Sequence, residues 1–185
     1  MEAAEGTTLA GKLFITLRQR QTLLRWSLYA LVFFTVLLLQ NVIFSRITAF
    51  GCVIDIVPPV ILLIAVTARV DSGCTFALCA SLFWSFSGQA LGLVAILALP
   101  VLSFVLGALR RACFPKNLTS TLLCCLLGGL AYEFAGFLLA VILGYAPWAF
   151  WYQALVTAVL SFFVCPVLYP LIRVIGKIGG FQWND

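Results

Sequence analysis

Two acidic residues, Asp55 and Glu133, are the side chains of this chain that could best support chemistry. Each lies in a strongly apolar stretch, where burying a carboxyl group is costly unless it has a partner. The chain contains no His, which removes the commonest general base and metal ligand. Nothing resembles a phosphate-binding glycine loop or a nucleophile with its base, so we expect no catalytic, cofactor-binding or metal site and no enzyme activity.

Each acidic residue also has a structural interpretation. Glu133 can be a neutral carboxylic acid that forms a hydrogen bond to another helix and fixes the packing, and this is the interpretation that we favour over a titrating role. Asp55 stands just before an aliphatic run, where a carboxylate can cap the N-terminus of a helix. We therefore predict structural roles for both residues.

The seven cysteines predict little reactivity. Most of them lie in apolar stretches, where a free thiol behaves as a small hydrophobic side chain. Cys124 and Cys125 are adjacent, so on a helix they face different directions. We predict that the cysteines are reduced and inert, without disulfides or a bound metal.

The composition requires a lipid environment. Hydrophobic residues make up 64% of the 185 residues, and charged residues only 9%. Soluble domains carry about 25% charged residues. The net charge of +5 does not predict nucleic-acid binding, because the basic residues stand just beyond the apolar stretches. That placement is typical of contact with anionic lipid headgroups, so the predicted partner is the bilayer.

Six apolar stretches predict an all-α, polytopic membrane protein, a compact bundle of six transmembrane helices. A span needs about 20 apolar residues. The stretches lie at residues 26–44, 52–68, 72–88, 92–109, 118–145 and 154–175. Pro58 and Pro59 predict a kink inside the second span, because proline removes helical hydrogen bonds.

The basic residues predict the topology. Ten of the eleven Lys and Arg residues fall in gaps of one parity, and only Arg46 falls in the other. Short cytoplasmic loops retain Lys and Arg, so both termini are expected in the cytoplasm. The predicted domains are a cytoplasmic tail at residues 1–25, a membrane domain at 26–177 and a short tail at 178–185. Residues 11–25 fit either a basic amphipathic helix on the inner leaflet or a basic tail with accidental periodicity.

Several short motifs follow one another in a recognisable order. They are Leu39-Gln40, Phe44, Gly51, Asp55, Gly73, Leu91-Gly92 and the ending Tyr169-Pro170 with Arg173. This order resembles the rod shape-determining protein MreD family over residues 26–177. Ile54 stands where the family usually has Pro, and Ser85 stands where it usually has Asp. The resemblance therefore implies a divergent member.

The resemblance implies a non-enzymatic scaffold in the bacterial cytoplasmic (inner) membrane. MreD-like proteins bind a bitopic MreC-like protein and link MreB filaments indirectly to the peptidoglycan synthase complex, which maintains rod shape. The glycines of the fifth span add a face that other helices can approach closely. Our candidate structural or partner-contact positions are Gln40, Asn41, Asp55, Gly128, Gly129 and Glu133.

The alternative function is that of a substrate-binding S component of an energy-coupling-factor vitamin transporter, whose fold the predicted bundle resembles. S components usually carry an Ala-x-x-x-Ala pattern in the first span, whereas residues 29–39 are bulky here. The outer half of the predicted bundle also lacks a cluster of convergent polar residues. Both observations favour the scaffold.

Overall fold

The computed structural model describes residues 17–49, 52–88, 92–113 and 117–178. Within these residues the protein is all-helical apart from one short antiparallel hairpin, in which β1 (Thr48–Ala49) pairs with β2 (Cys52–Val53). The helices are α1 (Leu17–Val42), α2 (Val57–Thr67), α3 (Val70–Phe86), α4 (Gly92–Cys113), α5 (Leu118–Ile142), α6 (Trp151–Phe162) and α7 (Val164–Gly176). Short 3-10 turns at Phe44–Arg46 and Trp148–Phe150 follow α1 and precede α6.

The lengths of the helices indicate a multi-pass membrane protein. Among the described residues, α1, α4 and α5 are long and apolar enough to cross a bilayer. Helices α6 and α7 form a fourth candidate span that is bent by 41°. Helix α2 has 11 residues and α3 has 17, and both are shorter than a regular span. Three or four candidate spans therefore stand where the sequence predicts six.

Helix α2 lies at the centre of the fold. Every residue from Val57 to Val66 is buried, and the helix contacts α1, α3, α4, α5 and α7. A helix that is apolar on all sides is surrounded either by protein or by lipid. The contacts of α2 show that protein surrounds it, so α2 is a core helix.

The predicted kink at Pro58 and Pro59 is wrong. Both prolines lie in the first turn of α2, directly after the N-cap residue Ile56 and Val57. Backbone N–H groups in a first turn have no partner inside the helix, so proline removes no hydrogen bond there. The two prolines begin the helix and do not bend it.

The sixth predicted span is broken at Phe163, between α6 and α7. Pro166 lies in the first turn of α7 and has no N–H to donate to the carbonyl of Phe162. At the break, the Phe163 N–H donates to the carbonyl of Leu160, three residues earlier, at 3.3 Å. This spacing is that of a 3-10 turn and not of an α-helix. Proline chemistry thus explains the bend.

Close helix packing depends on particular glycines. A Cβ atom at Gly73 in α3 would lie 2.5 Å from the Ala65 carbonyl oxygen of α2. At Gly128 in α5 it would overlap the side-chain ends of Leu62 and Leu106, whereas at Gly129 it would meet no atom within 4 Å. Of the two predicted glycines in α5, only Gly128 therefore lies in close contact with side chains of neighbouring helices.

Three arginines lie at the C-terminal end of α2. Arg69 follows the helix directly, Arg110 contacts Val66, and Arg25 interacts with Tyr29, which faces Thr67. Arg46 lies beyond the opposite end of α1. The three arginines thus lie together and Arg46 lies apart from them, and which end is cytoplasmic stays a prediction.

Helix α1 begins at Leu17 and continues into the first predicted span without a break. Residues 1–16, most of the predicted tail, lie outside the described residues, as do residues 179–185. The amphipathic helix at residues 11–25 stays a prediction.

Candidate functional site

Gln40 connects α1 to the segment that precedes α2. Its side chain is 1% exposed. The Nε2 group donates to the Ile54 carbonyl at 2.9 Å, and Oε1 accepts from the Ile56 N–H at 3.0 Å. Buried backbone groups outside regular structure need such partners. We call Gln40 and residues 54–56 the Gln40 joint.

Asp55 lies in the middle of this joint and contacts a third element. Its backbone N–H donates to Ser161 Oγ of α6 at 3.0 Å. Its Oδ1 accepts a long hydrogen bond of 3.4 Å from the Val57 N–H in the first turn of α2. The predicted capping contact is therefore present, although Ile56 occupies the N-cap position itself. The joint holds α1, α2 and α6 together.

A cavity of about 250 Å³ lies beside the Gln40 joint. Asp55 and Glu133 both line it, although they come from different elements and are far apart in sequence. Gln153 and Thr157 of α6 add an amide and a hydroxyl group. The sequence-based inference that convergent polar residues are lacking is therefore wrong. The other lining residues are Val94, Tyr132, Gly136, Phe137, Ala140, Ala146, Phe150 and Ala154.

The polar face of α6 is the signal that sequence reasoning missed. Gln153, Thr157 and Ser161 follow one another at intervals of four residues. That spacing places them on one face of a helix. Two of them line the cavity and the third binds the Asp55 N–H. A polar row on an otherwise apolar helix could have indicated the site.

Glu133 is half-buried and lines the cavity. Among the described residues, its carboxyl group has no hydrogen bond and no ion pair, so the predicted bond to another helix is not found. Asp55 is close enough to interact electrostatically with Glu133, and it carries the same sign of charge when both are ionised. Among the described residues, no Lys or Arg lines the cavity. The cavity therefore contains acidic groups without a described cation.

The remaining wall of the cavity is apolar and aromatic. Phe137 packs against Trp148 with ring centroids 5.8 Å apart, and Phe150 follows in the same 3-10 turn. A Cβ atom added at Gly136 would meet no atom within 4 Å. The site thus combines two carboxyl groups, an amide and aromatic faces with unfilled space.

Arg110 performs a structural role at the other end of α2. The sequence places it in a basic loop, but it lies in the last turn of α4 and is 7% exposed. Its Nη1 donates to the Val66 carbonyl at 2.5 Å, where the last carbonyls of α2 have no partner within the helix. A cation there also opposes the negative end of the helix dipole. Nothing in the sequence distinguishes Arg110 from Arg111, which is exposed.

The other predicted positions lie apart from the cavity. Asn41 is half-buried, and its backbone carbonyl accepts a hydrogen bond from the Ser45 hydroxyl. The described cysteines are free, and Cys165 Sγ lies 3.8 Å from the Pro59 carbonyl. In the described part of the chain, no group of three His, Cys, Asp or Glu side chains is placed to hold a metal ion.

Comparison with known proteins gives this chain no relative. No protein-family model, curated protein or solved structure matches it. The resemblance to the MreD family therefore stays a prediction that depends on the short motifs named above.

Proposed function

We propose that the protein is a non-enzymatic scaffold of the bacterial cell-elongation machinery in the inner membrane. It binds an MreC-like bitopic protein, and through that protein it links MreB filaments to peptidoglycan synthesis. The observation that carries this proposal is the Gln40 joint. Gln40 and Asp55 are two positions of the MreD-like motifs, and Gln40 forms hydrogen bonds to the backbone of Ile54 and Ile56, the residues on either side of Asp55. Motif residues that connect helices to one another are expected in a scaffold, because a scaffold acts through the arrangement of its helices.

A six-crossing topology accompanies this proposal, with both termini in the cytoplasm. Helix α2 alone covers about 16 Å at 1.5 Å per residue. The five residues at 52–56 can cover about another 16 Å when extended. Together they approach the hydrocarbon thickness of about 30 Å. Non-helical backbone is tolerated at membrane depth when protein groups satisfy it, and Gln40 and Ser161 do so here.

The partner surface is expected on the outward faces of the long helices. Leu31 and Leu38 of α1 are each 62% exposed, and Leu97 of α4 is 66% exposed. Such residues contact lipid or another transmembrane helix. A single helix of a bitopic partner needs only one such face.

Photocrosslinking in native membranes tests the scaffold. A photoreactive amino acid is placed at Leu31, Leu97 or Phe134, with fully buried Leu63 as the control position. We expect an adduct with an MreC-like protein from one exposed face and none from Leu63. Depletion of the protein from a rod-shaped bacterium that carries it should give rounded cells. Unchanged cell shape together with no such adduct would contradict the proposal.

The cavity supports a second candidate function, the binding of a small molecule as in an S component of a vitamin transporter. Its carboxyl, amide and hydroxyl groups converge as in a ligand site. A transporter component should co-purify with an ATPase module, and its loss should create a nutritional requirement. A scaffold should show neither.

A further inference from the structure

The cavity beside the Gln40 joint is the part of the molecule whose chemistry the scaffold does not use. Glu133 is half-buried, faces a cavity of about 250 Å³ and has no hydrogen bond or ion pair with any described residue. Buried carboxylates in proteins are normally paired with a cation or satisfied by hydrogen bonds. A cation or a strong hydrogen-bond donor in the cavity would satisfy the Glu133 carboxyl group.

The composition of the wall selects the kind of cation. Among the described residues, no group of three His, Cys, Asp or Glu side chains is placed to hold a metal ion, and this site offers two carboxyl groups, the Gln153 amide and the Thr157 hydroxyl. Phe137 and Phe150 add apolar faces, and aromatic rings attract organic cations. The volume also exceeds that of a bare ion. These features suit a positively charged group attached to a short hydrocarbon chain.

We propose that this cavity binds a small primary ammonium ion, with Glu133 and Asp55 accepting its hydrogen bonds and Phe137 and Phe150 enclosing its alkyl chain. The ammonium group can donate three hydrogen bonds, and the two carboxyl groups and the Gln153 amide oxygen can accept them. A free amine or the amine headgroup of a membrane lipid supplies the same chemistry. Binding of an amine is an additional property that the scaffold function does not include. If the protein is a transporter component, the amine would be its class of ligand.

Titration of the full chain in phosphatidylcholine nanodiscs with n-butylammonium chloride tests the proposal. Binding is measured by calorimetry and by the shift of the thermal unfolding midpoint. We expect saturable binding that raises the midpoint. The neutral isostere 1-butanol and potassium chloride should produce no saturable effect.

Variants assign the binding to the cavity. Glu133→Gln and Asp55→Asn should each weaken n-butylammonium binding about tenfold or more, because charge-assisted hydrogen bonds are lost. Asp71→Asn is the matched control, since Asp71 is an exposed acid in α3 that forms an ion pair with Arg69. Gly136→Leu should fill the space and abolish binding while the protein still unfolds cooperatively.

The proposal is overturned if the wild-type protein shows no saturable binding, or if Glu133→Gln and Gly136→Leu bind n-butylammonium as the wild type does. Nanodiscs that contain phosphatidylethanolamine distinguish the two sources. A lipid headgroup in the site should weaken n-butylammonium binding there by competition, whereas a free amine should bind equally in both lipids. Failure of amine binding leaves the scaffold proposal intact, because crosslinking tests that proposal separately.

Discussion

The two ends of α2 use buried polar groups differently. At the C-terminal end, Arg110 of α4 donates to the Val66 carbonyl. At the N-terminal end, Gln40 of α1 binds the backbone at Ile54 and Ile56. Both residues hold a central helix in place. The N-terminal end also has two acidic groups, the carboxyls of Asp55 and Glu133, which face a cavity. Because these two carboxyl groups line a cavity, we expect a ligand at the N-terminal end of α2.

Replacing Gln40 should have the largest effect. Gln40→Leu keeps the size of the side chain but leaves the Ile54 carbonyl and the Ile56 N–H without their partner. We expect a loss of about 2–5 kcal/mol in the free energy of unfolding. Denaturant titration in detergent measures this loss, with Asn41→Leu as the control. An equal loss in both variants would contradict the role of the Gln40 joint.

Replacing Arg110 tests the other end of α2. Arg110→Gln removes a charged donor from the last turn of the helix and should cost about 1.5–3 kcal/mol. Arg111→Gln removes the same charge from an exposed neighbour and should change the stability by less than about 0.5 kcal/mol. The same titration compares them. If the two variants lose equal stability, Arg110 acts only as a topology signal.

The packing between α2 and α3 predicts a smaller effect. Gly73→Ala places a methyl group against the Ala65 carbonyl, so we expect a cost of about 1–3 kcal/mol. Gly129→Ala meets no atom and should instead stabilise α5 by about 0.5–1 kcal/mol. Opposite shifts of the thermal unfolding midpoint would support this difference. Stability unchanged by Gly73→Ala would refute the close approach.

The sequence predicted the helical class and the apolar stretches well, because lipid exposure leaves a strong compositional signal. It could not predict that α2 is a short core helix, since an apolar run reads the same whether lipid or protein surrounds it. The prolines were similarly ambiguous. Pro58 and Pro59 begin a helix, while Pro166 breaks one, and the difference depends on where each helix starts.

The candidate site was harder to predict than the fold. Asp55 and Glu133 are 78 positions apart (133 − 55 = 78), and only the packing of α5 beside the Gln40 joint brings them to one cavity. Gln40 is a candidate in the sequence through a motif and not through any contact, and the structure gives it two hydrogen bonds to the backbone at Ile54 and Ile56. Arg110 was missed, because a basic residue at a helix end has the same sequence signal whether it is buried or exposed.

The most direct test compares the thermal unfolding of two variants, Glu133→Gln and Gln40→Leu. It separates a residue that stabilises the fold from a residue that faces a binding site. Both residues are polar, Gln40 being buried and Glu133 half-buried, and among the described residues only Gln40 of the two has side-chain hydrogen bonds. In ligand-free detergent we expect Gln40→Leu to lower the unfolding midpoint strongly and Glu133→Gln to leave it unchanged or raise it. A loss in Glu133→Gln as large as that in Gln40→Leu would show that Glu133 holds the fold, and would contradict its assignment to a binding site.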